Sequence, residues 1–437
     1  MRGIGGAGRP GRVESLRAAW SEWWRVVLLG VPTVGSYGIA VYSFGVIIAP
    51  VHEQTGWSVG SLSAAFTLLS VIGGVASLGS GWMLDRFGAR PIMIGSLVAG
   101  SGLLLMAASA ETAWQFVLAW GAGGGIISAG LFYNVTMAVT TRLYPEQRVR
   151  AFAILTFVGG FAAVIYFPLA GLLVDLLEWR AALRVLVGLL ALHVIPAALF
   201  ISGGAASKSA PGPHHGQTPT VEHGSVLRAF RTREVLQMVA MFSLAAMAFG
   251  AIQVHHVPAM EAAGISLGAA TTIASVRGLL SLPGRAFMEP VVRRLGVTGA
   301  IGVVYCLMAA GTLPLVMSGS LAWPLLFMLV TGLVFGTISP LHGLYAAEVF
   351  GERRIGTLMG MQSLVVSLVS ATGPALLGLT VDATGGYEVE IVLTAALFVA
   401  AFGLLTLRPR TATDAKLRVA AVTAVEAVAG AEAASDG

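Results

Sequence analysis

From Val26 to Ile48 the chain carries no charged side chain. A helix needs about 20 apolar residues to cross a hydrocarbon layer roughly 30 Å thick. The pattern recurs along the chain. Apolar runs starting at Val26, Ser61, Pro91, Trp114, Ala151, Ala181, Glu234, Gly268, Thr298, Trp323, Gly356 and Ile391 predict twelve membrane helices of roughly 20 to 26 residues each. Composition agrees, with 56% hydrophobic and 11% charged residues, where a soluble domain carries about 25% charge. The fold class expected is an all-α membrane protein, and its first partner is the lipid bilayer. Nucleic acid is not expected, because the basic residues gather at loop ends rather than in one patch. Cys306 is the single cysteine. It permits no internal disulfide and, lying in an apolar run, is expected in the core. A cleaved signal peptide is not expected, since the first apolar run is too long for one.

Composition shifts divide the chain. Residues 1–25 form an N-terminal segment whose start is rich in Gly and Arg; from Glu14 to Arg25 it mixes Arg with Trp20, Trp23 and Trp24, as an interfacial helix would. Residues 26–202 and 233–407 each hold six runs. Residues 203–232, rich in Ser, Pro, Gly and His, read as a linker, and 408–437 as a tail. With twelve spans both termini share one side. Arg180 and Arg184 fall on the other, Arg277 and Arg285 fall within span eight, and the remaining 22 of the 26 basic residues lie with the termini. That side is expected to be cytoplasmic, in a plasma (inner) membrane.

An internal repeat links the two blocks. Pro50, Glu53, Gly56, Ser58, Gly60, Arg86 and Gly88 recur as Pro258, Glu261, Gly264, Ser266, Gly268, Arg294 and Gly296, each 208 residues on (264 − 56). Pro168 recurs as Pro374, 206 on. Two six-helix halves of one topology place a substrate site near the bilayer midplane, between them.

The stretch Gly81-Trp82-Met83-Leu84-Asp85-Arg86-Phe87-Gly88-Ala89-Arg90 breaks two apolar runs with charge. Gly88 allows a tight turn. The spacing of Gly81, Asp85, Arg86, Gly88 and Arg90 resembles the loop between helices two and three of the major facilitator superfamily of transporters. Tyr42 to Val46, Gly56-Trp57-Ser58, Leu62 to Phe66, His255, Val257-Pro258, Pro283-Gly284-Arg285 and Gly373-Pro374 resemble its monocarboxylate and oxalate–formate branch. The resemblance implies two pseudo-symmetric bundles and a secondary carrier of small organic anions working by symport or antiport. It departs from the branch in having Ser281 four residues before Arg285, where the animal monocarboxylate carriers place Asp, and no Lys between Gly356 and Thr380.

A charged side chain in hydrocarbon costs at least about 2.5 kcal/mol, so Arg277 and Arg285 need a reason. They lie about 12 Å apart along a helix and about 80° around it. The resemblance implies that Arg285 contacts substrate; the alternative is a buried Arg that caps carbonyls or pairs with Glu289. Tyr37, Tyr166, Gln253, His255 and His342 are the further residues expected at the cavity. No acid is found at the middle of any span, so the span histidines are read without a carboxylate partner, and protons are a candidate co-substrate only through a histidine or the substrate itself. At the cytoplasmic loops, Asp85 corresponds to Arg293 and Arg142 to Glu348 in the repeat. The swapped signs predict Asp85–Arg142 and Arg293–Glu348 gating pairs, with Asp85 also near the positive start of span eleven at Gly356. The run Gly123-Gly124-Gly125 reads as close helix packing rather than a phosphate loop. No cofactor is expected, and His214-His215 are read as solvated rather than metal-binding. The function expected is transport of a small organic anion, a monocarboxylate, by a monomer that is not an enzyme. The alternative is efflux of lipophilic compounds, which Pro168 and Gly373-Pro374 weakly favour.

Overall fold

The structure, a computed structural model, describes residues 12–144, 146–201, 232–317, 320–350 and 355–407. Among them every regular element is a helix. The first half holds α1 (Arg12–Tyr37), a π-helical turn (Gly38–Tyr42), α2 (Ser43–Thr55), α3 (Val59–Phe87), α4 (Ala89–Ala107), α5 (Ala113–Leu131), α6 (Tyr133–Leu143) and α7 (Arg148–Ile201). The second holds α8 (Arg233–Ala262), α9 (Leu267–Thr312), a short 3-10 turn (Leu313–Val316), α10 (Ala322–Phe335), α11 (Ile338–Phe350), α12 (Ile355–Thr384) and α13 (Glu388–Thr406).

In hydrocarbon each backbone polar group must be bonded within the protein, and a helix does this within its own segment. Among the described residues nine helices are long and apolar enough to cross a membrane, or ten if the pair α10 and α11, bent by 41°, counts as one span. The expected twelve is reached only by counting that bent pair as one span and the two halves of α7 and of α9 separately. α7 has 54 residues, about 80 Å of helix, and Glu178 interrupts it at φ 61, ψ 162. α9 is interrupted by Gly296 at φ 70, ψ 173.

The repeat extends to the backbone. Gly56 and Gly264 end helices at φ 70 and φ 87. Two residues on, Ser58 and Ser266 each accept the backbone N–H three residues ahead, from Ser61 and Ala269, as an N-cap serine does. Gly88, at φ 81 and ψ −179, matches Gly296. The turns therefore lie at two ends, called here the Gly56 face and the Gly88 face.

The halves touch along three lines. α3 lies on α12, α7 on α9, and α2 on α8. Small residues allow the approach. A Cβ on Gly378 would stand 3.0 Å from the Gly60 Cα, and one on Gly278 2.6 Å from the Ala163 Cβ. Within the first half, Gly123, Gly124 and Gly125 face Gly100, Leu69 and Ile72 at similarly short range, the close packing expected of that run.

Three sequence expectations change. Cys306 is exposed, not in the core, because an apolar run in a membrane protein faces lipid as readily as its neighbours. α1 runs unbroken from Arg12, so no separate interfacial helix precedes the first span. Trp23 is buried, stacked on Tyr144 with ring centroids 5.1 Å apart, and Arg150 lies over its ring. The linker 203–231, with His214 and His215, and the tail from residue 408 lie outside the described residues.

Candidate functional site

Arg277 is 2% exposed, in the first part of α9. Its Nε–H donates to the Thr331 hydroxyl at 2.9 Å, and that hydroxyl donates to the Phe327 carbonyl at 2.7 Å. The guanidinium lies 4.5 Å from the Phe335 ring centroid and 5.2 Å from that of Phe327. Cation–π contacts of this kind are worth about 2 kcal/mol or more when desolvated. They hold the cation without neutralising it. Nη2 finds no hydrogen-bond partner, and no carboxylate forms an ion pair with Arg277 among the described residues.

Arg277 lies where the halves meet. Two residues before it, Ser275 donates to the Val164 carbonyl of α7 at 2.7 Å. Across Phe327 stands His256 of α8, ring centroids 6.0 Å apart, and Phe167 of α7 meets His256 edge-on at 5.2 Å. Tyr42 closes the row, 5.2 Å from Phe167. Arg277 is within Coulombic reach of both Tyr42 and His256. His256 Nδ1 sits 2.6 Å from the Ile252 carbonyl, so it holds that proton and presents Nε2. His256 Nε2, Gln253 Nε2 one helical turn earlier, and the Tyr166 hydroxyl are buried without a partner among the described residues. Buried polar groups are normally bonded. A guanidinium nitrogen and, across Phe327, an imidazole nitrogen left open where the halves meet are what a polar, anionic guest would satisfy.

The expected cavity residues separate. Arg277 and Gln253 fall at this interface, whereas the Tyr166 ring packs within the first half, against Gly38 and His193. Tyr37 instead stacks on Phe132, centroids 3.8 Å apart. His342 stacks on Phe242 at 3.8 Å and meets the Tyr305 hydroxyl at 2.7 Å. The side chains of Gly81, Asp85 and Arg285 lie outside the described residues, although their backbones are helical. At the Gly88 face Arg142 donates to the Leu84 carbonyl at 3.2 Å, beside Asp85. Arg86 covers Trp82 and Phe87. Arg90, Arg293 and Glu348 are exposed, and Gly356 lies in α12.

His255 departs furthest from expectation. Its Nδ1 stands 3.3 Å from the Glu390 carboxylate, and its Nε2 meets the Ser63 hydroxyl at 2.9 Å. Thr394 donates to the same Glu390 oxygen at 2.9 Å. A span histidine thus has a carboxylate partner, and α13 carries a buried acid at 3% exposure. The sequence reading placed Glu390 just outside span twelve, because charge marks a span's end in a hydropathy profile. Glu390 and Thr394, four apart on one helix face, were the available signal. Asp382 lies in the last turn of α12. Its carboxylate accepts the backbone N–H groups of Val59 and Gly60 at 2.8 Å each, an acid on the positive start of α3.

The family model described as Major Facilitator Superfamily matches residues 31–374. The chain belongs to the major facilitator superfamily. Its relatives include monocarboxylate transporter 13 of Bos taurus, 24% identical over 91% of each chain. The oxalate:formate antiporter of Oxalobacter formigenes is 29% identical over 29% of each chain. The aspyridones efflux protein apdF of Emericella nidulans is 24% identical over 85% of this chain and 76% of its own length. Among solved structures, the nucleoside transporter NupG superposes with a TM-score of 0.74 at 12% identity, covering 88% of this chain and 99% of that one. At that identity the likeness concerns the fold alone. This superfamily member is a membrane transporter rather than an enzyme.

Proposed function

We propose that the protein is a secondary active transporter of a small organic monoanion, a monocarboxylate, with Arg277 as the anion's counter-cation. The supporting observation is a buried guanidinium gripped by Thr331, Phe327 and Phe335 that has no carboxylate partner among the described residues. A carboxylate is the natural complement of its open nitrogen, with Gln253 and His256 as neighbours. Arg285 is a second contact two turns toward the Gly88 face. Arg277 alone at the interface, with Arg285 two turns away, favours a monoanion held at one cation over a dianion held at two. The two halves, 26–202 and 233–407, alternate around this site as a monomer, with the Gly88 face and both termini cytoplasmic in the plasma membrane. The Asp85–Arg142 and Arg293–Glu348 pairs close that face. The relatives named for monocarboxylates and for oxalate and formate favour this substrate class.

Uptake of a panel of radiolabelled monocarboxylic acids into proteoliposomes, with and without a pH gradient, tests it. Arg277→Gln is expected to reduce uptake of the transported acid at least tenfold. Arg277→Lys, which keeps the charge and loses the fork, is expected to raise KM more than it lowers Vmax. Wild-type uptake by a folded Arg277→Gln protein overturns the assignment. The relative named for aspyridones efflux supports a second reading, export of larger lipophilic compounds. Under it no acid in the panel is transported and Arg277→Gln leaves export of a lipophilic dye unchanged.

A further inference from the structure

Two ties join the halves at the Gly56 face, both on the first turns of α3: Asp382 on the Val59 and Gly60 N–H groups, and His255 on the Ser63 hydroxyl. The second runs on to Glu390, so a hydroxyl, an imidazole and a carboxylate form one chain across the interface. Ser63 is 0%, His255 1% and Glu390 3% exposed. The anion site does not use this chain.

We propose that the His255–Glu390 pair is a proton-binding site that sets whether the Gly56 face is closed. With a neutral imidazole the pair carries one net negative charge, since Nδ1–H donates to the carboxylate while Nε2 accepts from Ser63. Sealing that charge in a low dielectric is costly. One added proton on Nε2 makes the pair neutral overall. Both ring nitrogens then donate, to Glu390 and to the Ser63 oxygen, and the tie across the interface becomes charge-assisted. The Ser63 hydroxyl proton is then free to turn toward its own helix. The same heavy-atom distances serve either state. The protonated pair favours the closed face, and the unprotonated pair favours water and the open one.

The surroundings have the matching sign. On α8 itself lie His256 and Glu261; Asp382 approaches on α12; Glu53 of α2 and Asp175 of α7 lie within Coulombic reach of Glu261. Tyr387, between α12 and α13, meets the His255 ring at 6.0 Å. Burial and the carboxylates Glu390, Glu261 and Asp382 hold its phenol above the ordinary range. Arg277 is the opposing charge, felt through His256.

The proposal rests on alternating access only for the meaning of opening, and its test uses no substrate. Nitroxide labels on Glu111→Cys and Met317→Cys, in a Cys306→Ser background, report the separation of the two halves at the Gly56 face by electron–electron resonance. In detergent between pH 9 and pH 5, the ratio of long to short distances is expected to fall at least tenfold. Glu390→Gln, neutral at every pH, is expected to hold the face closed with less than a twofold response. Ser63→Ala removes the tie and keeps the proton site, so the long distance should gain population at every pH while the slope persists. A full pH response in Glu390→Gln overturns the proposal. So does a response abolished by Glu261→Gln or Asp382→Asn with Glu390 intact, a face that opens as pH falls, or a Ser63→Ala protein indistinguishable from the parent. A flat response in the parent sinks the proton site and leaves the anion-carrier reading standing.

Discussion

Single residues at the Gly56 face show how closely the halves meet. A Cβ on Gly60 would lie 2.7 Å from an Asp382 carboxylate oxygen and 3.0 Å from the Leu379 backbone nitrogen. No real side chain tolerates the first distance, so Gly60→Ala must push α12 away or displace the carboxylate. Asp382→Asn keeps the shape and exchanges an anion for a neutral acceptor at a helix start. Hydrogen bonds to a charged group are worth about 1.5–3 kcal/mol, and a neutral amide recovers part of that. Asp382→Asn is therefore expected to raise the open population of the Gly56 face several-fold, and Gly60→Ala to raise it further, in the same distance measurement. If both leave the distances unchanged, Asp382 is a helix cap and no tie between halves. The motif in Gly56 to Gly60 was legible as a repeat. Its partner was not, because Asp382 is 322 residues away from Gly60 and looked like any loop acid.

At the scale of elements, the repeat predicted where the chain turns better than hydropathy predicted where it crosses. Gly88 and Gly296 take the same conformation because each joins two spans at the same corner of its half. Glu178 occupies the comparable break in α7 without a glycine, at φ 61 and ψ 162. That region is essentially reserved for glycine, and another residue there stores roughly 1–3 kcal/mol. Glycine's larger entropy in the unfolded chain offsets about 0.5–1 kcal/mol. Glu178→Gly is thus expected to stabilise by about 1 kcal/mol, seen as a rise of about one degree in the unfolding temperature in detergent; a fall would mean Glu178 makes a contact that outweighs its strain. The bend between α10 and α11 lies at Gly336 and Thr337, just before Pro340; glycine and proline both interrupt helices, but the apolar run continues across them, so hydropathy alone reads one span. Glu390 and Cys306 escaped for a shared reason. Hydropathy orders residues by their preference for hydrocarbon, and in a bundle it does not distinguish lipid from the interior or a buried pair from a helix end. Arg277 was visible as a charge in a span, but the sequence could not show which rings would hold it.

For the whole molecule the question is whether the contacts along α3 and α12 must break during turnover. Val59 and Gly60 at one end of α3 hold Asp382 of α12. From the sequence, a matching contact is expected at the other end, Asp85 with the start of α12 at Gly356, by the same physics of an acid on a helix N-terminus. Gly60 also meets Gly378 at this same end, so opening the Gly56 face would part α3 from α12 there, and a carrier whose halves rock would not keep both caps at once. Locking the engaged end should therefore stop transport altogether rather than slow it. The pair Val59→Cys and Asp382→Cys, in the Cys306→Ser background, puts one thiol on the residue whose backbone N–H meets the carboxylate and the other in place of that carboxylate. Oxidation is expected to join them, abolish uptake of the transported acid in proteoliposomes, and leave access from the Gly88 face open to a thiol reagent directed at a cysteine in place of Thr337. Reduction should restore uptake to at least half its starting rate. A cross-linked protein that still transports at the reduced rate would show that the halves do not separate at this face. The substrate would then pass by a route that leaves the α3–α12 contact intact.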